Sequence, residues 1–155
     1  MIQLIEITDS HRAAIVSGAE ALTELSGLEV PGGWPIHPEI FERACNPAWP
    51  LFLFVDPELS SIVGSGGFLS SPDDNGLVQI GYEVAPQFRG KGIATEAMQA
   101  ILSRKPETPL VAAVAPANPS SIAVLRKLGF RETGQTVVHG EATVSLWINL
   151  REQQP

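Results

Sequence analysis

The chain has 155 residues, the length of one domain, and 44% of them are hydrophobic, so it can bury a core without disulfides or a structural metal. Its longest apolar runs, 50–55 and 110–115, are far too short to cross a membrane, and its opening, MIQLIEITDS, lacks the basic and apolar regions of a signal peptide. A net charge of −7 argues against a nucleic-acid partner, and the single cysteine, Cys45, allows no internal disulfide or cysteine-built metal site, so a reducing cytoplasm is the expected location.

Residues 2–8 alternate around Ile2 and Leu4 and predict a strand. Asp9 or Ser10 is placed to cap a helix running to about Ser17, and residues 19–25 predict a second short helix. GLEVPGGWPIHPEI (27–40) breaks the pattern with three prolines and three glycines, and predicts a long loop around Trp34. A short helix is expected over 38–44, with Cys45 at its end. LFLFV (51–55) and residues 62–69 predict strands joined by the turn PELSS. Gly64, Gly66 and Gly67 suggest a bulge or kink in the second of them. SPDDNG is a hairpin turn leading into a strand over 77–84. A glycine loop, a helix to about Arg104 and a buried strand in PLVAAVA follow. NPSSIAVLRKLG predicts a helix with Gly129 at its C-terminal cap. Strands over 130–139 and 142–150 complete a single domain, 1–150, with a polar tail at 151–155. These last strands either close the sheet or serve a homodimer. The predicted fold class is α/β (α+β): a mixed, mostly antiparallel twisted sheet flanked by helices. The strand–helix–strand crossover at Gly90 implies one parallel pair.

The glycine loop carries the chemistry. A helix N-terminus exposes unpaired N–H groups and a partial positive charge, and glycines let backbone approach an anion closely. PQFRGKGIATEA (86–97) sets Gly90 and Gly92 around Lys91 at such a terminus. It is not a Walker loop, because Gly92 and Ile93 follow the lysine, and it is not a dinucleotide fingerprint, because Thr95 stands at the third glycine position.

Gln87-Phe88-Arg89-Gly90-Lys91-Gly92 is Q-x-x-G-x-G, which resembles the pyrophosphate loop of the GCN5-related N-acetyltransferases (GNAT superfamily). IGYEVAPQFRGKGIATEA resembles that family's strand-to-helix block, and ANPSSIAVLRKLGFRETG its later helix. The wording looks closest to the RimJ/RimL-like branch. The resemblance implies acetyl-coenzyme A as cosubstrate, with no metal. It implies that Gln87 and the backbone from Arg89 through Gly90, Lys91, Gly92, Ile93 and Ala94 hold the pyrophosphate, with Thr95 capping the same end. Arg89 and Lys91 side chains are placed to add charge. The resemblance also puts the Val84 N–H on the thioester carbonyl and the Asn118 amide on the pantetheine arm.

Glu83 is the candidate base. Period two puts Val78, Ile80, Tyr82 and Val84 on one face and Glu83 on the other, beside the cradle. Many family members carry a tyrosine acid where this chain has Leu125. By similarity to the RimJ/RimL-like branch, Ser121 is then the acid. Tyr82, the only tyrosine, is a further candidate expected to face the core. Trp34 and His37 are weaker candidates for the acceptor pocket, and His11, His37 and His139 share no metal-ligand spacing. The expectation is an acyltransferase moving an acetyl group onto a primary amine, a protein N-terminus or a small molecule, by direct attack in a ternary complex. A non-catalytic acyl-coenzyme A sensor is the alternative. Cys45 is poorly placed to carry an acyl group.

Overall fold

The computed structural model describes residues 1–115, 118–139 and 142–151, so all of the expected polar tail except Arg151 lies outside the described residues. Strands β1 (Gln3–Glu6), β2 (Leu51–Asp56), β3 (Ser61–Phe68) and β4 (Val78–Val84) pair antiparallel in sequence order. β5 (Leu110–Val114) lies parallel to β4, and β7 (Ala142–Asn149) and β6 (Arg131–His139) follow it outward. The result is a mixed, mostly antiparallel seven-stranded sheet in the order β1-β2-β3-β4-β5-β7-β6.

Strand alternation divides the core in two. Along β2, Phe52 and Phe54 join one cluster, while Leu53 and Val55 join the other. The first cluster takes Ala97, Met98 and Ile101 from helix α3 (Ile93–Leu102) and Leu125 from α4 (Pro119–Lys127). The second takes Ile15 from α1 (Asp9–Ser17) and Leu22 from α2 (Ala19–Ser26). Each such fully buried Phe or Leu contributes about 1.5–3 kcal/mol relative to exposure.

Two local expectations change. The cap of α1 is Thr8, not Asp9 or Ser10: its hydroxyl accepts from the His11 N–H at 3.3 Å, and His11 Nδ1 accepts from the Thr8 N–H at 3.1 Å. A histidine here fills the role usually taken by Glu or Gln in the reciprocal cap. The helix expected over 38–44 is a 3-10 turn, Pro38–Glu42. The irregularity expected in the glycine-rich β3 is present: Phe54 pairs with Gly64 and Val55 with Ile62, so Val63 of β3 is the extra residue of a bulge against β2, while the pairing with β4 is uninterrupted. Gly66 is required for close approach there, since a Cβ would lie 2.8 Å from both the Gly81 carbonyl and Tyr82 Cβ.

One feature positions the site. β4 and β5 pair only at Val78–Leu110 and Gln79–Val111. Beyond those residues the ladder ends, and a cavity opens with Gly81 on one wall and Ala112 and Ala113 on the other.

Candidate active site

The cradle lies at the start of α3. Gly90 and Gly92 have φ of +78° and +77°, a left-handed conformation costly for residues with a Cβ. A Cβ at either would meet nothing within 4 Å, so backbone conformation, not crowding, requires glycine and leaves the surface open. No side-chain hydrogen bond caps α3 at Gly92. The amides of Ile93, Ala94 and Thr95 occupy the first turn, where the helix field is positive. Gln87 is exposed on a short 3-10 turn just before the loop. Lys91 stands over the Phe88 ring at 5.7 Å, and Arg89 Nε donates to the Val84 carbonyl at 3.2 Å. Arg89 thus ties the loop back to the end of β4.

The edge of β4 is polarised by register. Gln79 accepts from the Leu69 N–H at 2.7 Å and Ala85 donates to Val63 at 2.9 Å, so odd-numbered residues bond toward β3. Even-numbered residues aim at the opposite edge, as Val78 does in donating to Pro109 at 3.0 Å. Past Gln79 that edge faces the gap, so the Val84 N–H points where no neighbouring strand takes it.

The cavity at the gap has a volume of about 190 Å³ and draws on both faces of the sheet. From one face come Glu83 and His37, from the other Tyr82, Ser121 and Leu125. Glu83 is not free: Oε1 accepts from the Ile36 N–H at 2.6 Å and Oε2 from the His37 N–H at 3.2 Å. The carboxylate therefore pins the 27–40 loop to β4, with lone pairs left for a further donor. His37 Nδ1 lies 3.3 Å from Glu39 Oε1, both side chains exposed. Tyr82 packs on the core, as its face predicts, yet its hydroxyl lies 2.9 Å from Ser121 Oγ and 3.1 Å from the Ser121 carbonyl. Burial raises its phenol above the ordinary value, a shift the Ser121 bond opposes. Asn118 caps α4, its Oδ1 accepting from the Ser121 N–H at 3.1 Å, and its side-chain nitrogen remains for another partner.

Trp34 does not line this cavity. It is buried, 5% exposed, with Nε1 donating to Ser65 Oγ at 3.0 Å and its ring against Phe41. A larger cleft of about 540 Å³ adjoins the cavity through Ile40, Phe41, Leu51 and Leu69. Glu83, Tyr82 and Ser121 line the smaller space and not the larger one. Cys45 lies in the larger cleft, its thiol pushed up by burial and then by Asp9, which keeps it protonated. Among the described residues no three His, Cys, Asp or Glu side chains cluster as metal ligands, and no helix is long and apolar enough to cross a membrane.

The signal that sequence reasoning lacked was spatial. Tyr82 and Ser121 lie 39 residues apart, and Glu83 and Ile36 lie 47 apart, with no spacing pattern to link them.

A glycine loop at an uncapped helix start thus lies beside a splayed parallel strand pair. Residues 3–131 match the acetyltransferase (GNAT) domain family, and the chain belongs to that family of acetyltransferase enzymes. It is 30% identical over 151 residues to the uncharacterized N-acetyltransferase YjdG of Bacillus subtilis, a match covering 88% of this chain and 86% of that protein. The phosphinothricin acetyltransferase of Sinorhizobium meliloti, solved with AcCoA, superposes with a TM-score of 0.62 at 20% identity, covering 96% of this chain and 87% of that one. The ribosomal-protein-S5-alanine acetyltransferase of Vibrio fischeri superposes with a TM-score of 0.64 at 18% identity, over 99% and 96% of the two chains.

Proposed function

We propose that the protein transfers an acetyl group from acetyl-coenzyme A to a primary amine, a protein N-terminus or a small molecule, by direct attack in a ternary complex. The observation that supports this best is the meeting, where β4 and β5 part, of an open main-chain edge, a carboxylate and a hydroxyl pair. Gly90, Gly92 and the uncapped start of α3 fit a pyrophosphate, and the free edge of β4 fits an extended pantetheine arm. Acetyl-coenzyme A is a substrate that supplies the acetyl group and carries the thiol away.

The chain's residues divide the remaining work. Gln87 and the backbone from Arg89 to Thr95 hold the diphosphate, and Asn118 steadies the arm. The Val84 N–H donates to the thioester carbonyl and stabilises negative charge as it develops on oxygen. Glu83, through a water, takes a proton from the incoming ammonium. Ser121 donates to the departing sulfur. With Leu125 in place of a tyrosine and Ser121 on the cavity wall, we place the chain nearest the RimJ/RimL-like branch and in the cytoplasm.

Calorimetric titration with acetyl-coenzyme A, with ATP and NAD as controls, tests the reading. Saturable micromolar-range binding of acetyl-coenzyme A alone, followed by thiol release with members of an amine panel, is the expected result. Binding of ATP instead removes the assignment, and binding without turnover on any amine leaves an acyl-coenzyme A sensor.

A further inference from the structure

Leu125, where many family members would carry an acid, is buried and offers no donor. The cavity wall that carries Leu125 also carries the hydroxyls of Ser121 and Tyr82, and they touch each other. They come from different elements, α4 and β4, so their contact is a property of the fold and not of local turn geometry. We propose that Tyr82 is a positioning residue for Ser121, the two hydroxyls acting as one proton relay to the departing sulfur. This rests on the acetyl-transfer reading above.

The single phenol proton has two acceptors in reach, the Ser121 carbonyl at 3.1 Å and Ser121 Oγ at 2.9 Å. When it turns to Oγ, the Ser121 proton is released to point elsewhere, and Ser121 stands at the N-terminal turn of α4 with its own N–H already taken by Asn118. Tyr82 cannot easily shift. Gly66 allows its Cβ to sit so close to β3 that a methyl group there would collide at 2.8 Å. Burial holds the phenol protonated through neutral pH, so the donor is always present. His37 and Glu83 are the other titratable side chains on the cavity wall, both on the opposite face.

The balance closes as follows. The amine nitrogen forms a bond to the acetyl carbon and the carbon–sulfur bond breaks. The ammonium loses two protons, both passing to solvent by way of Glu83. Ser121 Oγ–H gives its proton to sulfur while Ser121 Oγ takes the proton of Tyr82, and the phenolate is reprotonated from solvent. One proton is released in net.

The product thiol gives a test that needs no acceptor. Coenzyme A is bound to the wild-type protein, Ser121→Ala and Tyr82→Phe, and its thiol is titrated by ultraviolet difference spectroscopy against unliganded protein. Calorimetry on the same samples measures binding. A relay that donates to sulfur favours thiolate, so the wild-type midpoint should fall below that of free coenzyme A by about one pH unit. Ser121→Ala should lose this shift. Tyr82→Phe, which keeps the ring and the packing, should lose about half of it, and the double variant should match Ser121→Ala. A Tyr82→Phe midpoint equal to wild type, or effects that add in the double variant, overturns the relay while leaving the acetyl-transfer reading intact. Failure of coenzyme A to bind the folded wild-type protein overturns both.

Discussion

The cradle and the cavity lie side by side and are made differently. The cradle is one continuous stretch, Gln87 to Thr95, built from main-chain amides and two left-handed glycines. The cavity is assembled from loop 27–40, β4, β5 and α4, and is lined by side chains that meet only after folding. A site made of backbone tolerates change in side chains but not in φ. A site made of side chains tolerates neither a lost hydroxyl nor a small shift of the strands that carry it. The first should govern cofactor affinity and the second turnover.

Four substitutions probe that division. Glu83→Gln should lower kcat by about 100-fold while changing the Kd for acetyl-coenzyme A less than about threefold, measured by thiol release and calorimetry. A comparable loss of affinity would show that the two regions are not separable. Gly92→Asp puts a like charge where phosphate is expected, and Kd should rise by about 100-fold. Aspartate is a good helix cap and tolerates left-handed backbone better than most residues, so the melting temperature should change little. A large fall in stability with unchanged affinity would make the glycine loop an ordinary turn. Gly66→Ala forces contacts of 2.8 Å on the Gly81 carbonyl and Tyr82 Cβ. It should cost about 2 kcal/mol of stability, read by denaturant unfolding, and lower kcat without moving Kd. Trp34→Phe leaves the Ser65 hydroxyl without its partner in a buried setting. A loss of about 1–2 kcal/mol with unchanged KM for the acceptor is expected, whereas an altered KM would return Trp34 to the pocket.

The same division explains what the sequence revealed. The helices α3 and α4, the SPDDNG turn and the parallel crossover rest on local periodicity and turn chemistry, and they lie close to where those signals put them. The glycine loop is a local motif, and it lies where the sequence puts it, between β4 and α3. Glu83 lies on the strand face that period two gives it and Ser121 in the first turn of α4, but their hydrogen-bond partners carry no sequence signal. Tyr82 faces the core as period two requires, yet no periodicity says that a phenol will reach the first turn of a helix 39 residues away. By sequence Trp34 is a weak pocket candidate only because family resemblance puts its loop on the acceptor side; its large ring is worth more buried, and Ser65 gives its N–H a partner. Thr8 took the cap of α1 from Asp9 because His11, three residues on, completes a reciprocal bond.

Both oxygens of Glu83 hold backbone of the 27–40 loop, where we propose the acceptor enters. Anyone seeking to redesign the amine preference would naturally mutate that loop. Replacements at Ile36 or His37 that move the chain would disturb the carboxylate along with the wall, so a library there should yield many inactive proteins and few altered ones. Ile40 and Leu69 line the cavity but do not hold the Glu83 carboxylate, and they offer engineers the freer handles.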